Sequence, residues 1–304
     1  MASLWLAFGC AQGQVRPSEL QAYRDLRGTL VVAETSVARP RGRYAGHTIR
    51  LRSSTGLIAT GRLLRPTGAV NGCHPAVLLQ DGREENSDVI GRLPAEFGNV
   101  VVLSLDYPAE IPYTMRLRDV VLHGDRLKHA ARKIPALFSL GASYLAQRPD
   151  VDTTRIALAA TSFAVPFATI AAAVDQRFRN LALIYGAGDL PSVVAANLAV
   201  RPRFLRRAAA WLATRPFADF FPERFIDRIA PRPIVMVNGA DDPQMPVRAV
   251  QRLYDAARPP KSLIWLRTGH LMPVDSALIR ALVDTALARL PVLQAAGEAT
   301  HCRP

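Results

Sequence analysis

The chain has 304 residues, a length that fits one large α/β domain or two small domains. Its formal net charge is +13, and nearly all of its positive charges are arginines, because only three residues are lysines. The sequence has no run of about 18 uninterrupted apolar residues that would predict a membrane span. The sequence contains no nucleic-acid-binding module, so we predict no nucleic-acid partner. The densest basic cluster, Arg201–Arg207, lies beside apolar residues, which is compatible with peripheral contact with an anionic membrane.

The N-terminus and the cysteines bear on processing and localisation. Cys10, Cys73 and Cys302 are too few and too far apart in sequence to predict a disulfide framework or a metal site. The apolar run Leu4–Gly9 before Cys10 resembles the end of a bacterial lipoprotein signal, although it is short and lacks a preceding Lys or Arg. Two alternatives follow: an exported, lipid-anchored protein, which we slightly favour, and a cytoplasmic protein with a frayed N-terminus.

The first half of the chain begins with a polar segment and continues with strand patterns. Residues 17–46 are polar, Arg-rich and turn-prone, and we assign residues 1–46 to an N-terminal tail, a signal-like segment followed by an extended segment. Two alternating runs, HTIRLRSS and LIATGRLLRP, are separated by Thr55-Gly56, which is typical of a β-hairpin. Continuous apolar runs over 76–80 and 100–105 predict strands that are buried on both faces, with a helix near 88–97 between them.

The second half of the chain alternates helices and buried strands. A long helix is predicted over 117–147, with Pro135 as a break or kink. A strand over 155–160, a tight turn at Ser162 and an Ala-rich helix follow, and the next strand covers 181–185. The remaining predicted elements are helices without strands over 190–229, a strand over 233–237, a helix over 247–257, a strand over 262–266 and a C-terminal helix over 275–290.

This order of elements predicts an α/β fold, with an N-terminal antiparallel hairpin and a mostly parallel central sheet that has helices on both faces. We assign this domain to residues 47–292, with a helical cap at about 189–230 and a C-terminal tail at 293–304. In such sheets, functional sites form at the carboxyl ends of the strands. Three residues with catalytic chemistry directly follow predicted strands: Ser162, Asp242 and His270.

These three residues offer the parts that an activated serine needs. A serine nucleophile requires a base, a group that orients the base, and donors for the oxyanion. The chain order of serine, acid and histidine is that of α/β hydrolases. Ser162 is the centre of Ala160-Thr-Ser-Phe-Ala164, in which alanines replace the two glycines of the nucleophile elbow G-x-S-x-G; alanine is the next smallest residue and is compatible with the turn.

Each of the three also has a purely structural interpretation. Ser162 fits a turn or a helix N-cap, and His270 fits a surface histidine. Asp242 fits a turn, with Asp241 as an adjacent competitor for the catalytic role. The joint placement of all three after strands favours the catalytic interpretation.

Four segments in the expected order resemble α/β hydrolases of the dienelactone-hydrolase-like type, over about His47–Leu290. They are the lead-in DVDTTRI before the strand at 155–160, the segment FIDRIAPRPI that enters the strand at 233–237, the acid turn NGADDPQMP and the histidine turn TGH.

The resemblance implies a role for each site residue. Ser162 is the nucleophile, His270 the general base and acid, and Asp242 the carboxylate that orients the imidazole. One oxyanion donor is the backbone N–H of Phe163. The second is the N–H of Arg83, which follows Asp81-Gly82 where the family usually has His-Gly.

The sequence therefore predicts a serine hydrolase, without metal or cofactor, that cleaves a carboxylic ester of a small and partly apolar substrate through an acyl-enzyme. Aromatic residues of the cap either line an apolar acyl pocket or pack the cap onto the sheet: Trp211, Phe217, Phe220 and Phe221. The alternatives are a thioesterase or peptidase of the same fold, a non-catalytic binding protein with a degraded site, and a membrane-surface protein that uses Arg201–Arg207.

Overall fold

The computed structural model describes residues 15–67, 73–82, 87, 90, 98–112, 117–270, 281–282, 285–286 and 288–294. The helices predicted near 88–97 and over 275–290 lie largely outside these residues. Arg83, Cys10 and Cys302 also lie outside them.

One mixed sheet of ten strands organises the described part of the chain. Its strands are β1 Leu30–Thr35, β2 Arg39–Arg41, β3 Tyr44–Ser53, β4 Ile58–Pro66, β5 His74–Gln80, β6 Val101–Leu105, β7 Val151–Thr161, β8 Phe178–Ile184, β9 Ile234–Gly239 and β10 Lys261–Leu266. They lie in the order β1-β3-β4-β6-β5-β7-β8-β9-β10, with β2 paired to β3. The pairs from β6 to β10 along this order are parallel, whereas β3 and β4 form the predicted antiparallel hairpin.

The described helices connect or flank these strands. They are α1 Pro17–Arg27, α2 Leu117–Gln147, α3 Val165–Val174, α4 Leu190–Asn197, α5 Arg203–Thr214 and α6 Val247–Ala256, with a helical turn at Pro291–Gln294. Short 3₁₀ turns occur at Ser162–Ala164 and, between α5 and β9, at Arg215–Phe220, Pro222–Arg224 and Ile226–Ile229. As predicted, the described structure has no strand between β8 and β9.

Burial explains why the central strands read as continuous apolar runs. Every residue of β5, β6 and β9 is buried, and so are nine of the ten residues of α3. By contrast, β4 alternates exposed and buried residues over most of its length, because one of its faces meets solvent. The core of the molecule therefore lies around β5, β7, β8 and β9.

The N-terminal segment is not a separate tail, so the predicted boundary at residue 46 is wrong. Residues 17–41 contain α1, β1 and β2, and β1 pairs with β3 along Leu30–Thr35. The boundary cuts through β3, which begins at Tyr44. Most residues of β1 are exposed, so this strand lacks the alternating burial from which a strand is recognised in sequence.

Helix α2 is irregular at a different residue from the one predicted. Pro135 lies inside the helix, and the non-helical backbone is at His123, with φ −130° and ψ 21°. Ile134 and Leu137 on either side of the proline are buried in the core, and this packing maintains the helix there. His123 precedes Gly124, whose low helix propensity favours a break in the more exposed first turns.

The structure also corrects the interpretation of the cysteines. Cys73 directly precedes β5, is buried and forms a disulfide bond. Spacing in sequence did not predict this bond, because folding can bring cysteines together that are far apart along the chain.

Candidate active site

Ser162 occupies a strained turn at the end of the central strand β7. Residues 156–161 of this strand are all buried, and the 3₁₀ turn Ser162–Ala164 connects it directly to α3. Ser162 has φ of 46°, in the left-handed region that non-glycine residues rarely adopt. Such a conformation costs about 1–3 kcal/mol and is typical of functional turns. The strand, the strained serine and the helix together have the local geometry of a nucleophile elbow.

The two alanines beside the turn are accommodated without exposure. Ala160 and Ala164 are both completely buried. Ala160 lies between Gln80 of β5 and Leu183 of β8 in the sheet register. The left-handed conformation of Ser162 therefore coexists with alanine at both glycine positions of the motif.

Asp242 and His270 form a hydrogen-bonded pair on the loops after β9 and β10. The distance from Asp242 Oδ2 to His270 Nδ1 is 2.7 Å, and the carboxylate is fully buried while the imidazole side chain is 12% exposed. An ionised carboxylate can only accept, so Nδ1–H donates and Nε2 is the nitrogen left for a serine proton.

The second oxygen of Asp242 fixes the carboxylate in place. Oδ1 accepts hydrogen bonds from the backbone N–H groups of Gln244, at 2.7 Å, and Met245, at 3.3 Å. The neighbouring Asp241 is exposed, and its backbone N–H donates to the Thr268 carbonyl at 3.2 Å. Of the two adjacent aspartates, Asp242 is thus the one that pairs with His270.

Tyr185 is a site residue that the sequence analysis missed. It follows β8 directly, with φ of 51°, and it is completely buried. Its ring centroid lies 5.0 Å from that of His270, and its hydroxyl is 3.0 Å from Thr268 Oγ1. Its position at the end of a strand was the available signal, since the three predicted residues share it.

Sheet register places Tyr185 between the serine turn and the histidine. Thr161 of β7 pairs with Ile184 of β8, so Ser162 and Tyr185 leave the sheet as neighbours. Gly239 at the end of β9 permits the histidine loop to approach, because an added Cβ would lie 2.5 Å from the Thr268 carbonyl oxygen. Ser162, Asp242 and His270 therefore lie at the same edge of the sheet. Within the described residues, no hydrogen bond joins Ser162 to His270.

Asp81 connects the loop after β5 to the serine turn. Its side-chain Oδ1 accepts a hydrogen bond from Thr161 Oγ1, and its backbone carbonyl accepts one from the Tyr107 hydroxyl at 2.5 Å. The Tyr107 ring in turn packs edge-on against Phe163, with centroids 5.5 Å apart. Arg83, the predicted second oxyanion donor, follows Gly82 in sequence and lies outside the described residues.

A row of aromatic rings extends from the serine turn into the cap. Phe163 contacts Phe167 at 5.3 Å, Phe167 contacts Phe220 at 5.8 Å, and Phe220 contacts Phe217 at 6.4 Å. Trp211 does not belong to this row, because 54% of it is exposed at the surface. The phenylalanines thus pack the segment between β8 and β9 against α3 beside Ser162, and Trp211 faces outward.

Two surface clefts are lined by residues other than the three predicted catalytic residues. One, of about 610 Å³, follows β3, β4 and the start of the loop after β6. The other, of about 480 Å³, is lined by Tyr107 and by apolar residues of α2 and the hairpin. Neither is lined by Ser162, Asp242 or His270. In the described part of the chain, no group of three His, Cys, Asp or Glu residues is placed to hold a metal ion, and none of its helices combines the length and apolarity of a membrane span.

Comparison with known proteins identifies the architecture. No protein-family model matches the chain, and no curated protein matches it significantly. Among solved structures, acetyl xylan esterase 1 from Thermoanaerobacterium sp. superposes with a TM-score of 0.65 at 15% identity, covering 89% of this chain and 94% of that one. An acetyl xylan esterase from Paenibacillus sp. superposes with a TM-score of 0.65 at 15% identity, and the match covers 88% of this chain and 93% of that one.

A third match is an α/β hydrolase from Penicillium sp., with a TM-score of 0.53 at 17% identity over 80% of this chain and 99% of that one. The chain has the α/β-hydrolase fold. The fold predicted from the sequence is thus confirmed. In the α/β-hydrolase fold, the turn after the central strand is the position of the nucleophile elbow, and in this chain Ser162 occupies it.

Proposed function

We propose that the protein is a serine hydrolase that cleaves carboxylic esters, with Ser162 as nucleophile, His270 as general base and acid, and Asp242 as the orienting carboxylate. The observation that carries the proposal is the Asp242–His270 hydrogen bond, whose carboxylate is fully buried, at the same sheet edge as a serine in a strained left-handed turn. This combination supplies a base with a fixed tautomer and a partly exposed serine in the nucleophile position.

In the proposed reaction, Ser162 Oγ attacks the ester carbonyl while His270 Nε2 takes the serine proton. Asp242 holds Nδ1–H and stabilises the imidazolium that forms. The same proton then passes to the leaving alcohol, and water hydrolyses the acyl-enzyme by the reverse sequence. Proton transfer requires Ser162 Oγ and His270 Nε2 to approach to about 2.6–3.2 Å, a contact that often tightens only with substrate bound.

The tetrahedral intermediate carries an oxyanion that needs hydrogen-bond donors. We assign one donor to the backbone N–H of Phe163, since this residue follows the nucleophile. The second is the N–H of Arg83 in the loop after Asp81-Gly82. The hydrogen bonds of Asp81 to Thr161 and Tyr107 support this role, because they fix the start of that loop beside the serine.

The proposed substrate is an ester with a small, partly apolar acyl or alcohol group. Two observations support it: the row of phenylalanines beside Ser162, and the names of two similar structures, both acetyl xylan esterases. A thioester or an activated amide would undergo the same acyl transfer, so a panel of acetyl and butyryl esters, thioesters and anilides separates these alternatives.

Hydrolysis of p-nitrophenyl acetate tests the proposal. Ser162→Ala and His270→Ala are expected to lower kcat by at least about 10³-fold, and Asp242→Asn by about 10⁴-fold because the wrong tautomer forms. Asp241→Asn is the matched control, since Asp241 is adjacent and exposed, and it should retain activity within about 3-fold. Wild-type protein without activity on the whole panel would favour a non-catalytic binding protein instead.

A further inference from the structure

Helix α5 buries small residues and exposes large apolar side chains, the reverse of the usual arrangement. Its buried side contains Ala210, Ala213 and Thr214, which are small. The large side chains Leu205, Trp211 and Leu212 point outward and are 45%, 54% and 64% exposed. A helix that only packs on a core places its large apolar residues inside, so the outer face of α5 is suited to contact something else.

The exposed apolar residues share one side of the helix. Leu205 and Leu212 are seven residues apart and therefore lie on the same side of the helix. Trp211, the residue before Leu212, lies beside them around the helix circumference. The exposed Ala208 lies between them. We call these four residues the α5 face.

Arginines border the α5 face without acidic partners. Five arginines and no acidic residue occur between Asp189 and Asp219. Arg201, Arg207 and Arg215 are exposed, and none of them forms a salt bridge within the described residues. The guanidinium of Arg215 instead lies 5.2 Å from the centroid of the Trp211 ring. The α5 face is therefore apolar at its centre and positively charged at its border.

We propose that the α5 face docks on an anionic lipid surface. Leucine and tryptophan side chains enter the interfacial region of a bilayer, while flanking arginines extend to the anionic headgroups. Each arginine near such a surface contributes roughly 1 kcal/mol, which is about 5-fold in affinity. Four side chains of one helix make up only a small part of the about 800 Å² that a stable protein partner usually covers on each side. This proposal is independent of the esterase proposal.

Co-sedimentation with vesicles tests this surface. We expect wild-type protein to bind vesicles of phosphatidylglycerol and phosphatidylcholine (1:1) at least about 10-fold more tightly than pure phosphatidylcholine, and to lose most binding at high salt. The double variant Arg207→Gln/Arg215→Gln should bind about 25-fold more weakly, and Trp211→Ala/Leu212→Ala at least about 10-fold more weakly.

The control variants carry the same kinds of change elsewhere on the surface. Val31→Ala/Ile58→Ala removes exposed apolar residues of the sheet, and Arg52→Gln/Arg248→Gln removes exposed arginines outside the cap. Unchanged thermal unfolding of all variants excludes loss of fold. Absence of wild-type binding, or equal losses in the control variants, would overturn the proposal. So would sedimentation velocity showing a dimer that only the α5-face variants dissociate, because a second copy would then be the occupant.

Discussion

Asp81 occupies the position where the resemblance leads one to expect histidine, and its contacts give it a distinct role. Its side chain accepts from Thr161, the residue before the nucleophile, and its carbonyl accepts from Tyr107. Tyr107 also contacts Phe163, the residue after the nucleophile. Both sides of the serine are thus connected to the loop that leads to Arg83.

Removing the Tyr107 hydroxyl tests this positioning role. Tyr107→Phe keeps the ring against Phe163 but loses the hydrogen bond to the Asp81 carbonyl, whose net value is about 1 kcal/mol. We expect kcat on p-nitrophenyl acetate to fall about 5- to 10-fold with KM within 2-fold, since the oxyanion is bound only in the transition state.

Tyr254→Phe on α6 is the control, because that ring packs against Lys261, away from the loop after β5. An increase in KM with unchanged kcat for Tyr107→Phe would instead show a role in substrate binding.

At the scale of elements, α3 is the helix that follows the serine, and arginines bind its last carbonyls. Arg232 donates to the Ala172 carbonyl at 2.7 Å and to the Asp175 carbonyl at 3.0 Å, and Arg24 donates to the Val174 carbonyl. Cations at a helix C-terminus complement its dipole. The end of α3 is therefore fixed to α1 and to the entry of β9.

Asp175 makes this end of α3 sensitive to acid. Burial raises the pKa of this carboxyl, but hydrogen bonds and charge from Arg177, with a further contribution from Arg27, outweigh it and hold the pKa below its ordinary value. The unfolded chain then binds the proton more readily. The stabilisation is complete above the ordinary pKa near 4 and is lost as the pH falls through the lower, folded pKa.

Asp175→Asn should therefore lower the free energy of unfolding at pH 7 by about 2 kcal/mol, since it leaves the partly buried guanidinium groups of Arg27 and Arg177 without their charged partner. Urea unfolding at pH 7, 5 and 3 measures this. The difference between variant and wild type should shrink toward pH 3. A difference that is constant with pH would show that packing, and not charge, accounts for the loss.

Elements with a strong burial pattern were predictable, and those without one were not. The continuous apolar runs of β5, β6 and β9 follow from burial on both faces. The exposed strand β1 is stabilised by its pairing with β3. This pairing leaves no apolar pattern in the sequence of β1 itself. At the site, the position after each strand identified Ser162, Asp242 and His270 as candidates, but the pairing of His270 with Asp242 in preference to Asp241 depends on burial in three dimensions.

At the scale of the whole molecule, the disulfide of Cys73 bears on the two alternatives for localisation. Disulfides persist in oxidising compartments and are rare in reducing ones, so the bond is expected of an exported protein, and localisation stays a prediction. The bonded Cys73 directly precedes β5, the strand that leads into the Asp81 loop.

Cys73→Ser should lower the free energy of unfolding by about 2–5 kcal/mol, as measured by urea denaturation. A reductant should weaken the wild-type protein to a similar extent and leave the variant unchanged. A free Cys73 thiol, found by alkylation and peptide mass spectrometry under non-reducing conditions, would contradict the assignment.

The proposed function depends on Ser162 being an activated nucleophile at the edge of this sheet. Intact-protein mass spectrometry after treatment with a fluorophosphonate tests this, because the reagent reacts with serines activated by a neighbouring base. We expect one adduct per wild-type chain, located on the peptide that contains Ser162, and none on Ser162→Ala. An unlabelled wild-type protein, or equal labelling of Ser162→Ala, would contradict it.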